Sequence, residues 1–150
     1  MVKVSAILPI YNAEGFLRQT LDCLINQTLK EIEIICVDDG SKDNSYEIIK
    51  EYSEKYDNVI GITQENAGAG AARNKGLSVA KGEYLSFLDA DDFFETNMLE
   101  LAYNHAKKYD SDITVFNSNQ YFEETGEYKD INWVVRYNKI PPYNPFKHRQ

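Results

Sequence analysis

Asp89-Ala90-Asp91-Asp92 places three carboxylates in four residues, directly after the apolar run Glu83 to Leu88. Such a cluster repels itself unless a cation or hydrogen bonds offset the charge. Mg2+ and Mn2+ are hard cations that take oxygen ligands, often one or two carboxylates plus the phosphates of a substrate. Residues two apart in an extended segment share a side, so Asp89 and Asp91 would face one ligand, with Asp92 beside them. A solvated acidic turn, with Asp92 opening a helix, accounts for the same residues. Taken alone, the cluster fits both accounts equally.

A second acidic strand end is Asp38-Asp39-Gly40-Ser41. A carboxylate there can accept from a nucleobase N–H or a ribose hydroxyl, as acidic residues do in nucleotide-binding folds. Asp, Gly and Ser also favour a turn into the next helix, and in isolation that is the simpler account. Arg73 follows Gly68-Ala69-Gly70 and has the guanidinium that suits a diphosphate, although a surface ion pair is the commoner fate of a lone Arg. That segment is no P-loop, and no Gly-x-Gly-x-x-Gly follows the first strand, which argues against a nicotinamide-dependent oxidoreductase. His105 and His148 read as structural or exposed. No Ser–His–Asp or Cys–His arrangement can be assembled from them.

These residues need a scaffold, and the hydrophobic pattern supplies one. Val4 to Leu8, halted by Pro9, reads as a buried strand. Phe16, Leu17, Leu21, Leu24 and Ile25 recur at helical spacing within 14–28. Ile32 to Val37 is a second strand. A helix from near Asp43 carries Ile48, Ile49, Tyr52 and Tyr56 on one face. Residues 58–63, 83–88 and 112–117 read as further strands. Helices are expected over 71–80, closed by Gly82, and over 96–109, with Thr96 as N-cap. Tyr121-Phe122 and Tyr128 flank Glu124-Thr125-Gly126, a hairpin turn. Strand–helix alternation argues for a mostly parallel α/β sheet covered on both faces. Ligands of such sheets bind outside the carboxyl ends of the strands, where Tyr11-Asn12, Asp38-Asp39 and Asp89–Asp92 would collect.

Composition narrows the classes. The 150 residues fit one domain, with 43% hydrophobic and 27% charged residues and a net charge of −8. That balance excludes a polycationic, non-specific nucleic-acid binder. No apolar run approaches a membrane span, and the N-terminus shows no signal-peptide pattern. Cys23 and Cys36 form no metal or redox spacing and read as free thiols in a reducing, cytoplasmic setting. Residues 131–150 form a basic, aromatic tail containing Pro141, Pro142 and Pro145, and no Asp or Glu follows Asp130.

Two stretches, VSAILPIYNAEGFLRQTLDCLINQTLKEIEIICVDDGSKDNS and ENAGAGAARNKGLSVAKGEYLSFLDADD, resemble the N-terminal half of family 2 glycosyltransferases of the GT-A fold. The resemblance runs over roughly residues 2–100 with motif order and spacing kept. It implies a nucleotide-diphospho-sugar donor, typically UDP-linked, a divalent cofactor (Mn2+ or Mg2+), and inversion at the anomeric carbon. The acceptor it implies is a glycan or a lipid-linked saccharide. Pro9, Tyr11, Asn12 and Glu14 match the motif beside base and ribose. Asp39 matches the acid that reads the base, with Asp38 its neighbour, and Arg73 matches the basic residue of the donor loop. Asp89 and Asp91 match the D-x-D motif, with Asp89 near ribose or sugar and Asp91 on the metal; Asp92 extends the motif.

In similar enzymes the general base is an acidic residue well downstream of D-x-D. Glu123, Glu124, Glu127 and Asp130 cluster round a turn and come too early, so no base is assigned. The expected organisation is a nucleotide-sugar-binding region over 1–130 and the start of an acceptor-side region over 131–150, within an incomplete catalytic domain. The tail would lead to an acceptor groove or a peripheral membrane contact, or simply continue a larger core. Exposed aromatics on such a core would favour a homodimer. A donor-binding module without catalysis is the alternative to an enzyme.

Overall fold

A computed structural model describes residues 1–115, 119–122 and 124–130. Contacts group the chain into two units, 1–114 and 115–150. The first unit holds β1 (Val4–Ile10), α1 (Leu17–Ile25), β2 (Ile32–Asp38), α2 (Ser45–Lys55), β3 (Val59–Thr63), α3 (Ala69–Leu77), β4 (Tyr84–Phe87) and α4 (Met98–Tyr109). Its four strands form one parallel sheet in the order β3-β2-β1-β4. The α/β class expected of a GT-A fold is the class found.

The strand order explains the layering. The chain steps outward from β1 to β2 to β3, and right-handed crossovers put α1 and α2 on one face. It then returns past β1 to β4, so the same handedness puts α3 on the other face. The side chains agree. Val4, Ala6, Leu8 and Ile10 pack with Leu17, Leu21, Leu24, Ile48, Ile49 and Leu99, whereas Ile7, Ile35 and Val37 pack with Ala72 of α3. Central β2 is buried along its whole length, as a strand covered on both faces must be.

Pro9 does not stop β1. It pairs with Val37, and the strand continues to Ile10. Ile7 accepts from Leu88 on the β4 side, and Ile10 accepts from the Asp39 amide on the β2 side. Pro9 shares the parity of Ile7, so its missing N–H would point where β4 has already ended. No ladder bond is lost there.

Other boundaries shift for local reasons. The amides of Ala13 and Glu14 are held by Ser45 Oγ and Asp43 Oδ2, so α1 begins only at Leu17. Asn97, not Thr96, is the N-cap of α4, and the Thr96 carbonyl accepts from the Thr28 amide. Gly82 lies beyond α3, pressed against Ser5, where a Cβ would collide with the Ser5 backbone. Residues 112–115 form no strand, and 116–117 lie outside the described residues. In the second unit β5 (Asn119–Phe122) and β6 (Glu127–Asp130) pair antiparallel across a turn with Gly126 at φ 69°, the expected hairpin. The basic tail, 131–150, lies outside the described residues.

Candidate active site at the carboxyl edge of the sheet

The sheet changes direction between β1 and β4, and the crevice outside their carboxyl ends is where open α/β sheets take ligands. β2 and β4 both neighbour β1, so their ends stand about 10 Å apart, two strand spacings. Asp38 and Asp39 leave β2 at this edge, Tyr11 and Asn12 leave β1, and Asp89 to Asp92 leave β4.

The loops after β1 and β2 clasp each other. Asn12, at φ 49°, accepts from the Lys42 amide at 2.8 Å and donates its own amide to Ser41 Oγ at 3.0 Å. Asn tolerates this left-handed backbone better than most residues. Glu14 Oε2 accepts from the Asn44 amide at 2.9 Å and from Asn44 Nδ2 at 2.7 Å. Burial pushes the Asp43 carboxyl up, but the hydroxyl and amide of Ser45 and the Glu14 amide bring it below its ordinary value. Tyr11 stays exposed beside this clasp and Pro9 half-buried.

Asp38, the last residue of β2, and Asp39 are both buried and hydrogen-bonded locally. Asp38 accepts from the Ser41 amide at 3.2 Å and from Thr63 Oγ1 at 3.1 Å. Asp39 Oδ1 accepts from Gln64 Nε2 at 2.7 Å and from the Ala67 amide at 2.9 Å, and Oδ2 accepts from the Gly68 amide at 2.8 Å. Burial opposes ionisation of Asp39, yet the donors of Ala67, Gln64 and Gly68 hold its carboxyl below the usual carboxylate value. A carboxylate accepts about four hydrogen bonds, so one acceptor position on Asp39 remains. Gly40, at φ 74°, lets this turn approach the Asn66 amide, which a Cβ would meet at 3.0 Å.

Asp39 thus fixes the loop that opens α3, and α3 carries Arg73. Arg73 Nη2 donates to Asp89 Oδ1 at 2.7 Å, in a pair that stays partly exposed. Along 88–91 burial alternates: Leu88 and Ala90 are inside, Asp89 and Asp91 outside. Asp91 makes no hydrogen bond or ion pair among the described residues. Burial, then the charges of Asp91 and Asp89, raise the Asp92 carboxyl above its ordinary value.

Among the described residues no three His, Cys, Asp or Glu side chains gather closely enough to hold a metal unaided. The oxygen donors of Asp91, with Asp89 and Asp92 adjacent, still suit a hard cation that draws its remaining ligands from phosphate and water.

Two site-supporting residues, Thr20 and Gln27 of the α1 region, were not marked by the sequence reading. Both are fully buried, and their partners lie on the segment after β4. The signal was present: polar residues seven apart inside the apolar stripe of Leu17, Leu21 and Leu24.

The model of the family described as glycosyl transferase family 2 matches residues 5–149. The chain belongs to glycosyltransferase family 2. Among its relatives, glycosyltransferase GlyA of Streptococcus pneumoniae is 46% identical over 124 residues, 83% of this chain and 18% of GlyA. The poly(ribitol-phosphate) beta-glucosyltransferase of Bacillus spizizenii is 44% identical over 118 residues, 76% of this chain and 19% of the relative. Among solved structures, Staphylococcus aureus TarS 1–349 in complex with UDP matches with a TM-score of 0.69 at 33% identity, over 74% of this chain and 34% of that one. TarS 1–349 has also been solved with UDP-GlcNAc. The mannosyltransferase PcManGT of Pyrobaculum calidifontis, in complex with GDP-Man and Mn2+, matches with a TM-score of 0.60 at 25% identity, over 67% of this chain and 31% of that one. The chain spans 18–42% of the length of the curated relatives it matches. No helix among the described residues is long and apolar enough to cross a membrane.

Proposed function

We propose that this span is the donor-binding part of an inverting, metal-dependent glycosyltransferase that moves a sugar from a UDP-sugar to a glycan or lipid-linked acceptor. The observation that carries this reading is the linked edge: Asp39 holds Ala67 and Gly68, α3 follows, and Arg73 meets Asp89 two residues before Asp91. One span of chain therefore sets the distance between a base-reading acid and a diphosphate-facing pair.

In this reading Asp39 uses its remaining acceptor position for the imino N–H of the base. Asn12 and Glu14 hold the β1 and β2 loops together around the ribose, with Pro9, Tyr11 and Asp38 framing the opening. Arg73 turns from Asp89 toward the diphosphate, because charge-assisted bonds to oxyanions are its strongest use. Asp91, with Asp89 and Asp92, would hold Mn2+ or Mg2+. When bound, that cation supplies Lewis-acid stabilisation of the charge on the departing nucleoside diphosphate. Inversion further requires a base for the acceptor hydroxyl. We place that base outside the residues assigned here. The free thiols Cys23 and Cys36 agree with a reducing cytosol.

A second reading, donor binding without transfer by the 150-residue span itself, is favoured by the small share of the relatives that it covers. Calorimetry with UDP, GDP and ADP in Mn2+, combined with nucleotide release from UDP-sugars, separates the two. Binding with release supports the enzyme, binding alone supports the module, and no preference for a nucleotide contradicts both.

A further inference from the structure

Thr20 lies on the core-facing side of α1, fully buried among Leu17, Leu21 and Leu24. A hydroxyl in such surroundings is costly unless bonded. Its Oγ1 stands 2.7 Å from the Ala90 carbonyl and 3.2 Å from the Asp92 carbonyl. These two carbonyls flank Asp91. Both carbonyls lie within hydrogen-bond reach of the hydroxyl, that of Ala90 the nearer. The carbonyl of Phe16, one turn back, stands at 3.3 Å, so the sequence-local alternative is the longest of the three.

Gln27 extends the same arrangement. Its Nε2 donates to the Glu95 carbonyl at 2.7 Å and its Oε1 accepts from the Leu99 amide at 3.1 Å. The neighbouring Thr28 amide donates to the Thr96 carbonyl at 2.7 Å. Residues 90–99 are thus pinned at one end to α1 and at the other to the turn that follows it, while Asp91 itself is exposed.

We propose that Thr20 is a positioning residue for Asp91: its hydroxyl fixes the backbone on both sides of that carboxylate, so that the carboxylate meets a divalent cation and a nucleoside diphosphate without first being ordered. This deepens the donor-binding reading above and rests on it. Preorganisation of this kind is reflected in affinity, and loss of a partner that orients a metal ligand commonly costs on the order of tenfold in metal binding.

Thr20→Val keeps the shape and deletes the hydroxyl; Thr20→Ser restores it. The 150-residue chain and both variants are titrated with Mn2+ in the presence of UDP, and amide exchange of Asp91 and Asp92 is followed without ligand. The expected result is about tenfold weaker Mn2+ binding for Thr20→Val, recovery to within about twofold for Thr20→Ser, and faster exchange at 91–92 with β1 and β2 unchanged. Equal Mn2+ affinity in Thr20→Val overturns the proposal, as does faster exchange spread evenly over β1 and β2, which marks a general loss of stability. Wild-type chain that binds no UDP with Mn2+ overturns the donor reading instead; the exchange data then decide whether Thr20 fixes the loop.

Discussion

Arg73 and Asp89 meet at 2.7 Å, joining α3 to the acidic segment that follows β4. At the N-cap of the same helix, the Gly68 amide is held by Asp39. The helix is therefore tied to both acidic edges, and each tie is a charge-assisted bond. Arg73 is a counter-ion that offsets part of the Asp89–Asp92 repulsion.

That geometry makes Arg73 a test of diphosphate recognition. On the proposed donor-binding reading, Arg73→Ala removes a charge-assisted contact to the phosphates of about 1.5–3 kcal/mol, so roughly a tenfold loss or more is expected for UDP. Uridine, which lacks phosphates, is expected to bind both proteins alike. Titration calorimetry with the two ligands checks this, and equal losses for both would place Arg73 elsewhere in the site.

Asp39 predicts a pH signature. Its folded carboxyl lies below the ordinary value of 3.8, so the unfolded chain takes up the proton first as pH falls. Its stabilisation is complete above 3.8 and is lost as pH falls through the lower folded value. Asp39→Asn can keep one oxygen for Gln64 and Ala67 but then turns its NH2 toward the Gly68 amide, and is expected to cost about 2 kcal/mol at neutral pH. Urea unfolding at neutral pH and at about pH 3 should show the gap between wild type and variant narrowing on acidification. The same variant should lose discrimination among bases more than it loses metal affinity.

Gly76 sets how closely α3 approaches the sheet. A Cβ there would lie 2.5 Å from Ile7 Cγ2, with Val37 Cγ2 at 3.5 Å and Ile35 Cγ2 at 3.6 Å. Gly76→Ala therefore overpacks this face and should destabilise the chain by about 1–3 kcal/mol in a urea melt. Nucleotide affinity should fall as well, because lifting α3 moves Arg73 from Asp89.

The parallel sheet and its acidic edge were legible in the sequence because buried parallel strands are short apolar runs and their ends are marked by abrupt polar residues, as at Val37-Asp38 and Leu88-Asp89. Pro9 misled, since a proline's effect depends on which neighbour its missing N–H would face, and strand order is not written locally. Residues 112–115 carry strand-like Ile113 and Val115 but form no strand, because propensity alone does not set strand pairing. Thr20 and Gln27 were hidden because a polar residue in an apolar stripe shows only that some partner exists. The partners lie about seventy residues away in sequence, and only the packing of α1 against the segment after β4 brings them into reach.

The central claim is that Asp91, displayed at the shared edge with Asp39, couples a divalent cation to nucleotide binding. Its most direct test is the affinity for UDP with and without Mn2+, in wild type and in Asp91→Ala. The account predicts that Mn2+ tightens UDP binding on the order of tenfold or more in wild type and does nothing for the variant. A variant whose UDP affinity still rises with Mn2+ as the wild type's does would contradict it.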